Sequence, residues 1–280
     1  MIDSKQPAPN GDAISTGFPD LDDIVGGMRP GHLAVVASRP GIGRTTALVS
    51  IVEGVAVRNR ISTLVFTLEE SSAEFHQRVF CNHGRVPMRP QDAVRKTDEE
   101  WEVRLGVQMK ARIANATKAM AAVPLRTCAA PSLTMAELAG EARAAVREHG
   151  VKFIAVDGLN DIKPEKRNDL REREVGDVAR DLKILARELG VPILATAHLN
   201  RAPEARPHRV PRLDDLRESG AVTFAASWIV LLHRPDCCAE CSRPQECDFI
   251  VAKNRYGTEG HSLAMGAQYH YSRFLQMAKV

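Results

Sequence analysis

Residues 32–50 read HLAVVASRPGIGRTTALVS, an apolar run followed by a turn rich in glycine and proline and then by a helical pattern. The apolar run 32–38 predicts a buried strand, and residues 45–58 predict a helix. Between such a strand and helix, the N–H groups of the turn and of the helix N-terminus can cradle phosphates. The segment therefore predicts a phosphate-binding loop.

The turn nearly matches the pattern G-x-x-x-x-G-K-[ST] of nucleotide-binding loops. Ser38 stands at the first glycine and Arg44 at the lysine, whereas Thr45 keeps the hydroxyl that ligates Mg²⁺. A planar guanidinium is bulkier than an ammonium, so we expect nucleotide binding to survive while hydrolysis suffers. The alternative is an ordinary glycine turn with an exposed arginine. The predicted nucleotide-binding residues are Arg39, Pro40, Gly41, Ile42, Gly43, Arg44, Thr45 and Thr46.

Acidic residues follow two further apolar runs. Asp157 follows KFIAV, and Glu69 and Glu70 follow STLVFTL. A carboxylate at the carboxyl end of a strand can reach Mg²⁺, so Asp157 and the loop threonine are predicted to hold the metal. A carboxylate after the neighbouring strand can act as a general base, and the residues alone do not separate Glu69 from Glu70. The alternatives are a strand-end cap for Asp157 and a dipole-stabilised helix N-terminal acid for Glu69.

The order of the predicted elements indicates an α/β fold with a mainly parallel sheet covered by helices on both faces. We predict a flexible tail at residues 1–12 and one domain at residues 13–280. Further helices are predicted at 98–122, 134–149 and 175–189, and further strands at 125–128, 191–197, 228–233, 248–253 and 262–266.

The composition limits the class of protein. With 280 residues and 44% hydrophobic content, the chain is long enough for one large folded core. No apolar run reaches the roughly 18 residues of a membrane span, and no signal pattern is present, so we expect a cytoplasmic protein without membrane contact. The net charge of +3 is too small for binding nucleic acid by overall charge. Any DNA contact must come from local clusters.

Longer segments together resemble the motor domain of the DnaB family of hexameric replicative helicases, which has a RecA-like P-loop NTPase fold with C-terminal β-hairpins. The resemblance covers about residues 15–280, and DLRESG at 215–220 is its most specific part, because other RecA-like ATPases share the phosphate loop but lack this hexapeptide. The segments are STGFPDLDDIVGGMRPGHLAVVASRPGIGRTT, LVFTLEES, FIAVDGLNDI, LNRAPEARPHRVPRLDDLRESG and IVAKNRYGTEG.

The resemblance implies an ATP- and Mg²⁺-dependent helicase or single-stranded DNA translocase that acts in replication as a homo-oligomeric ring, with six subunits in the family. It implies that Glu69 is the catalytic glutamate, that Asp157 is the metal-binding aspartate, and that Lys253 and Arg255 reach the neighbouring subunit's nucleotide. Solvated strand-end charge is the alternative for that pair. The predicted DNA-binding residues are Arg201, Arg209, Arg217, Glu218 and Gly220.

The sequence departs from the family pattern in several places. Besides Arg44, His198 stands where the family has a glutamine that senses the γ-phosphate, although imidazole can still donate a hydrogen bond. Only a short tail stands where the family has a helical N-terminal domain that contacts primase. These departures favour an alternative function, a hydrolysis-impaired accessory protein that binds nucleotide and single-stranded DNA.

A cysteine-rich insert at about residues 234–247 has no counterpart in the family pattern. Its C-x₂-C spacing at Cys238 and Cys241 is that of a zinc knuckle, with Cys247 and either Cys237 or His233 to complete the ligands. One cluster without a second spaced pair is a modest signal. The insert therefore fits either a structural zinc site or free thiols in a surface hairpin.

Overall fold

The structure is a computed structural model that describes residues 12–89, 99–130, 132–163, 171–216, 219–237 and 243–277. The helices are α1 (Pro19–Val25), α2 (Arg44–Val52), α3 (Ser72–Gly84), α4 (Glu99–Met120), α5 (Met135–His149), α6 (Arg171–Leu189) and α7 (Ser219–Ala225). The strands are β1 (Leu33–Ser38), β2 (Thr63–Thr67), β3 (Leu125–Ala129), β4 (Phe153–Asp157), β5 (Ile193–His198), β6 (Trp228–His233), β7 (Glu246–Asn254), β8 (Ser262–Gln268) and β9 (Arg273–Gln276).

These strands form one sheet in the order β3-β2-β4-β5-β1-β6-β7-β8-β9. Strands β1 to β6 run parallel, and β7, β8 and β9 continue the sheet as antiparallel hairpins. The predicted α/β fold, with its mainly parallel sheet and C-terminal hairpins, is confirmed. Since β1 lies between β5 and β6, its carboxyl end opens at the middle of the sheet, where α/β proteins bind ligands.

The sheet is buried on both faces. In β1, Leu33, Val35 and Ala37 pack into one apolar cluster together with α5 and α6, whereas Ala34 and Val36 pack into the opposite cluster with α2 and α3. Burial on both sides explains why β1 is a continuous apolar run rather than an alternating one. Among the described helices, none is long and apolar enough to cross a membrane.

The structure does not support the zinc prediction at Cys247. The strand expected from residue 248 begins earlier, because β7 starts at Glu246. Cys247 therefore alternates in register with Phe249 and Val251, and all three are fully buried in one apolar cluster. Burial raises the pKa of the Cys247 thiol. The side chain of Cys237 and residues 238–242 lie outside the described parts of the chain.

Candidate nucleotide-binding site

The phosphate loop leaves β1 at Ser38 and enters α2 at Arg44. Gly41 and Gly43 have φ angles of 79° and 114°, which only glycine adopts readily. A Cβ on Gly43 would also lie 2.8 Å from the Tyr269 ring. Both the backbone angle and the lack of space therefore require glycine at this position. Ser38 lies outside the left-handed region, is buried, and donates its hydroxyl to the Arg39 carbonyl at 2.9 Å. The serine is therefore compatible with this loop.

Two side chains that can ligate a metal through oxygen, Thr45 and Asp157, meet at the first turn of α2. The Thr45 hydroxyl donates to Asp157 Oδ2 at 3.1 Å, and the Thr196 hydroxyl donates to Asp157 Oδ1 at 2.8 Å. Asp157 ends β4 and is 1% exposed, and this burial raises the pKa of its carboxyl. Hydroxyl and carboxylate oxygens are the donors that Mg²⁺ prefers, so Thr45 and Asp157 fit the metal of a magnesium nucleotide.

The raised pKa of Asp157 predicts a pH effect on metal binding. A proton competes with Mg²⁺ for this carboxylate at a higher pH than for an ordinary aspartate, so magnesium-nucleotide affinity should fall on mild acidification. Asp157→Asn should weaken that affinity about tenfold or more and remove the pH dependence. Fluorescence titration of a labelled nucleotide checks both, with the exposed Asp177→Asn as the control. An unchanged pH dependence in Asp157→Asn would contradict the assignment.

Arg44 lines the cavity beside the phosphate loop and contacts Glu69 and His198. Its Nη2 donates to Glu69 Oε1 at 2.5 Å, and its Nη1 lies 2.6 Å from His198 Nδ1. Since Arg44 must donate, Nδ1 accepts, and the ring proton lies on Nε2, 3.3 Å from Glu69 Oε1. The hydrogen bond from His198 and the charge of Arg44 hold the pKa of Glu69 below its usual value. Glu69 is a carboxylate held by two donors.

The structure separates Glu69 from Glu70, which the residues alone do not. Arg78 on α3 makes a bidentate ion pair with Glu70, with distances of 2.7 and 2.5 Å. Glu69 instead lines a cavity of about 490 Å³ together with the phosphate loop, Arg78 and His198. Glu69 is therefore the acid that faces the nucleotide site.

Comparison with known proteins identifies the family. A model of the DnaB-like helicase C-terminal domain matches residues 13–276 of this chain. The chain belongs to this family. It is 33% identical over 268 residues to the replicative DNA helicase DnaB of Leifsonia xyli subsp. xyli (strain CTCB07), which covers 95% of this chain and 56% of that protein.

More distant relatives agree. The chain is 28% identical to the replicative DNA helicase DnaB of Geobacillus stearothermophilus, over 95% of this chain and 57% of that protein. It therefore spans little more than half the length of these relatives. The solved ATPase domain of G40P has the same fold, with a TM-score of 0.83 at 24% identity over 96% of this chain and 93% of that chain.

One acid-rich group in this DnaB-like domain has ligand atoms in metal-binding proximity. Atoms of Glu69, Asp161 and His198 lie within 4.8 Å of one another. However, the Arg44 guanidinium already contacts two of these side chains and supplies the positive charge. The Thr45 and Asp157 oxygens remain the pair that suits Mg²⁺.

Tyr269 and Arg234 also line the nucleotide cavity, and neither is predicted from the sequence. The Tyr269 hydroxyl donates to the Ile42 carbonyl at 3.0 Å and so supports the phosphate loop from the C-terminal strands. The Arg234 guanidinium lies 5.0 Å from the centroid of the Tyr269 ring. No local motif marks Tyr269, because its contact with Ile42 joins positions 227 residues apart.

The predicted DNA-binding segment of the DnaB-like domain is tied to the phosphate loop. Arg39 donates to the Leu199 carbonyl at 2.9 Å and to Glu204 at 2.5 Å. Arg206 makes a bidentate pair with the buried Asp215, with distances of 2.5 and 2.7 Å, which fixes the start of DLRESG. Among the predicted DNA-binding residues, Arg201, Arg209 and Gly220 are exposed, and Arg217 and Glu218 lie outside the described residues.

Lys253 and Arg255 contact carbonyls at the C-terminal end of α7. The Lys253 ammonium is half-buried and donates to the carbonyls of Thr223 and Ala226, the latter at 2.7 Å. Arg255 donates to the Phe224 carbonyl at 2.7 Å. Lys253 is thus not a simple solvated charge. Lys253 on β7 pairs with Ile229 near the amino end of β6. Lys253 and Arg255 therefore lie at the edge of the sheet opposite the phosphate loop.

Proposed function

We propose that the chain is the ATP-dependent motor domain of a replicative DNA helicase that translocates on single-stranded DNA. The observation that carries the proposal is the meeting of the phosphate loop, Thr45 and Glu69 in one cavity at the carboxyl edge of the sheet, where the Thr45 hydroxyl also donates to Asp157. Its relatives are named replicative helicases, and this chain spans about half of their length.

In the proposed transfer of a phosphoryl group to water, different residues of the site bind the phosphates, hold the metal and activate the water. Gly41, Gly43 and the N-terminus of α2 are placed to bind the phosphates. Mg²⁺, when bound at Thr45 and Asp157, neutralises charge that develops on the transferring group. Glu69 orients the attacking water and accepts its proton, and the Nε2 proton of His198 is within reach of Glu69.

A ring assembly follows from the proposed role of Lys253 and Arg255. An arginine supplied across a subunit interface can accelerate phosphoryl transfer about 10³- to 10⁵-fold in other systems. Both side chains lie at the edge of the sheet opposite their own phosphate loop, so a nucleotide within their reach is one held by a neighbouring copy. We therefore propose a homo-oligomer with shared sites, six subunits in the manner of the family.

Binding of single-stranded DNA is proposed to go through phosphates rather than bases. The exposed Arg201 follows β5 in a segment with few aromatic side chains for stacking. Arg201→Gln should therefore weaken binding equally for different sequences and reduce the slope of log affinity against log salt by about 1. Fluorescence anisotropy across a salt series checks this, with the exposed Arg147→Gln on α5 as the control. A sequence-dependent loss would contradict backbone recognition.

One feature favours the second candidate function, a nucleotide- and DNA-binding accessory protein with impaired hydrolysis. The guanidinium of Arg44, at the position of the loop lysine, forms hydrogen bonds with Glu69 and His198. ATP hydrolysis measured with Mg²⁺ and single-stranded DNA separates the two functions. Turnover that depends on Glu69 supports the motor, and nucleotide binding without turnover supports the accessory protein.

A further inference from the structure

A second cavity, of about 190 Å³, lies between the phosphate loop, the predicted DNA-binding segment after β5 and the carboxyl end of β6. It shares the lining residues Arg39, Pro40 and Arg234 with the nucleotide cavity. Thr45 and Glu69 line the nucleotide cavity and not this one. The proposed catalytic cycle therefore leaves the second cavity without a role.

The walls of the second cavity are mostly apolar. Arg206 holds one wall in place, because its guanidinium pairs with Asp215 and also donates to the Val210 carbonyl at 3.1 Å. An apolar cavity of about 150 Å³ can hold a benzene ring, so the second cavity has room for one aromatic ring with a small substituent. The apolar lining residues are Pro40, Ile42, Leu199, Pro203, Pro211 and Leu232.

The lining contains one buried polar ring. His233, the last residue of β6, lines the second cavity and is 7% exposed. Burial lowers the pKa of its imidazole, so the ring is neutral and carries one N–H donor and one acceptor nitrogen. Within the described parts of the chain, neither ring nitrogen makes a hydrogen bond. Because buried polar groups are almost always hydrogen-bonded, His233 indicates a polar partner inside the cavity.

The lining also carries one uncompensated charge. Arg39 pairs with Glu204 at 2.5 Å and Arg234 pairs with Asp236 at 2.8 Å, so these charges cancel. Arg209 is exposed, and it has no ion pair with any residue that the structure describes. A carboxylate can accept two hydrogen bonds from such a guanidinium. A phosphate dianion would instead bring a second, unpaired charge into a mostly apolar cavity. The charge of the lining therefore suits a monoanion.

We infer that the second cavity binds a small aromatic monocarboxylate. The ring lies between the apolar walls, the carboxylate binds Arg209, and a polar substituent of the ring forms a hydrogen bond with His233. Arg209 is also a predicted DNA-binding residue, so the bound carboxylate competes with a DNA phosphate for the same guanidinium. This competition rests on the proposed function, whereas the binding of the carboxylate does not.

The binding test uses the full chain and two fluorescent probes, 2-aminobenzoate and its uncharged analogue 2-aminobenzamide. For ligands of about ten non-hydrogen atoms, we expect 2-aminobenzoate to bind wild type with a dissociation constant on the order of 1 mM. Arg209→Gln should weaken 2-aminobenzoate binding about tenfold and change 2-aminobenzamide binding less than about twofold, because the amide has no charge for Arg209 to bind. Arg212→Gln, an exposed arginine of the same segment outside the cavity lining, is the control.

His233→Phe tests the second polar contact. Phenylalanine keeps a ring at this position but removes both nitrogens, so the two probes should lose about the same factor, roughly fivefold to tenfold. Thermal unfolding of each variant shows whether the fold is kept, and the exposed Arg209 carries the test if His233→Phe does not fold. Equal losses of both probes in Arg209→Gln would reject the placement of the carboxylate.

Two further results would overturn the inference. Neither probe binding wild type up to about 10 mM would leave water as the partner of His233. Competitive displacement of the probe by magnesium-ATP would assign probe binding to the nucleotide cavity instead.

The competition with DNA is measured by anisotropy of labelled single-stranded DNA at constant ionic strength, since DNA binding is sensitive to salt. Saturating 2-aminobenzoate should weaken DNA binding several-fold in wild type but not in Arg209→Gln, and 2-aminobenzamide should have no effect. Charge-dependent probe binding without an effect on DNA would retain the site and reject only the DNA-binding role of Arg209. A chain that binds the probe but has no ATP turnover would reject the proposed motor alone.

Discussion

Glu69→Gln is expected to reduce DNA-stimulated ATP hydrolysis about 10²-fold or more, the usual contribution of a general base. Glutamine keeps the size of the side chain but cannot accept the proton of the attacking water. Glutamine also lacks the charge that pairs with Arg44. Because the phosphates are bound by the loop and the N-terminus of α2 rather than by Glu69, nucleotide affinity should change much less than turnover. Steady-state hydrolysis with Mg²⁺ and single-stranded DNA measures the first effect, and equilibrium titration with a labelled nucleotide measures the second.

Glu70→Gln is the matched control for this experiment. Glu70 is the next residue, but its carboxylate is held by Arg78 on α3 and not by the phosphate loop. Its replacement should leave turnover within a few-fold of wild type. Equal losses in the two variants would mean that the fall reflects disturbance of the segment after β2, and would reject Glu69 as the base.

Arg44→Lys is expected to raise turnover, roughly tenfold. A lysine ammonium lacks the fork that now bridges Glu69 and His198, and it is a compact charge that suits the β- and γ-phosphates. Without the guanidinium beside it, the pKa of Glu69 should rise toward its ordinary value, which makes Glu69 a stronger base. The rate of hydrolysis across a pH series should show the acid limb moving to higher pH.

Two outcomes of the Arg44→Lys experiment would change the conclusions. Turnover that is absent in wild type and appears in Arg44→Lys would reject the motor and favour the accessory protein. Turnover lower than in wild type would mean that the guanidinium itself serves the phosphates, and that its contact with Glu69 does not restrain hydrolysis. Arg78→Lys, which alters an ion pair with Glu70 rather than Glu69, controls for the loss of an arginine near the site.

The parallel part of the fold was predictable because all of its strands except β3 are buried apolar runs. Strand β6 was predicted with the observed limits, and β1 differs by one residue. Helix α1, helix α7 and strand β9 were not predicted, because they have seven, seven and four residues. Elements this short carry too few repeats of an apolar pattern, and tertiary packing decides them.

The location of a site residue was predictable where it follows from the position of that residue along a strand, as for Asp157. It was not predictable where the outcome depends on a distant partner. The sequence gives no sign that Arg78 engages Glu70, or that Arg44 folds onto Glu69. Cys247 was misplaced because a strand start two residues earlier makes a predicted zinc ligand part of an apolar face. The roles of Lys253 and Arg255 stay predictions.

Arg39 links the two proposed binding sites, since it belongs to the phosphate loop and donates to Leu199 and Glu204 of the predicted DNA-binding segment. If the binding of one ligand changes the equilibrium affinity for a second ligand, the second changes the affinity for the first by the same factor. The factor by which single-stranded DNA alters nucleotide affinity therefore equals the factor by which nucleotide alters DNA affinity. At equilibrium, one titration fixes both quantities. A contact that strengthens DNA binding while nucleotide is bound therefore also lowers the dissociation constant of the nucleotide while DNA is bound.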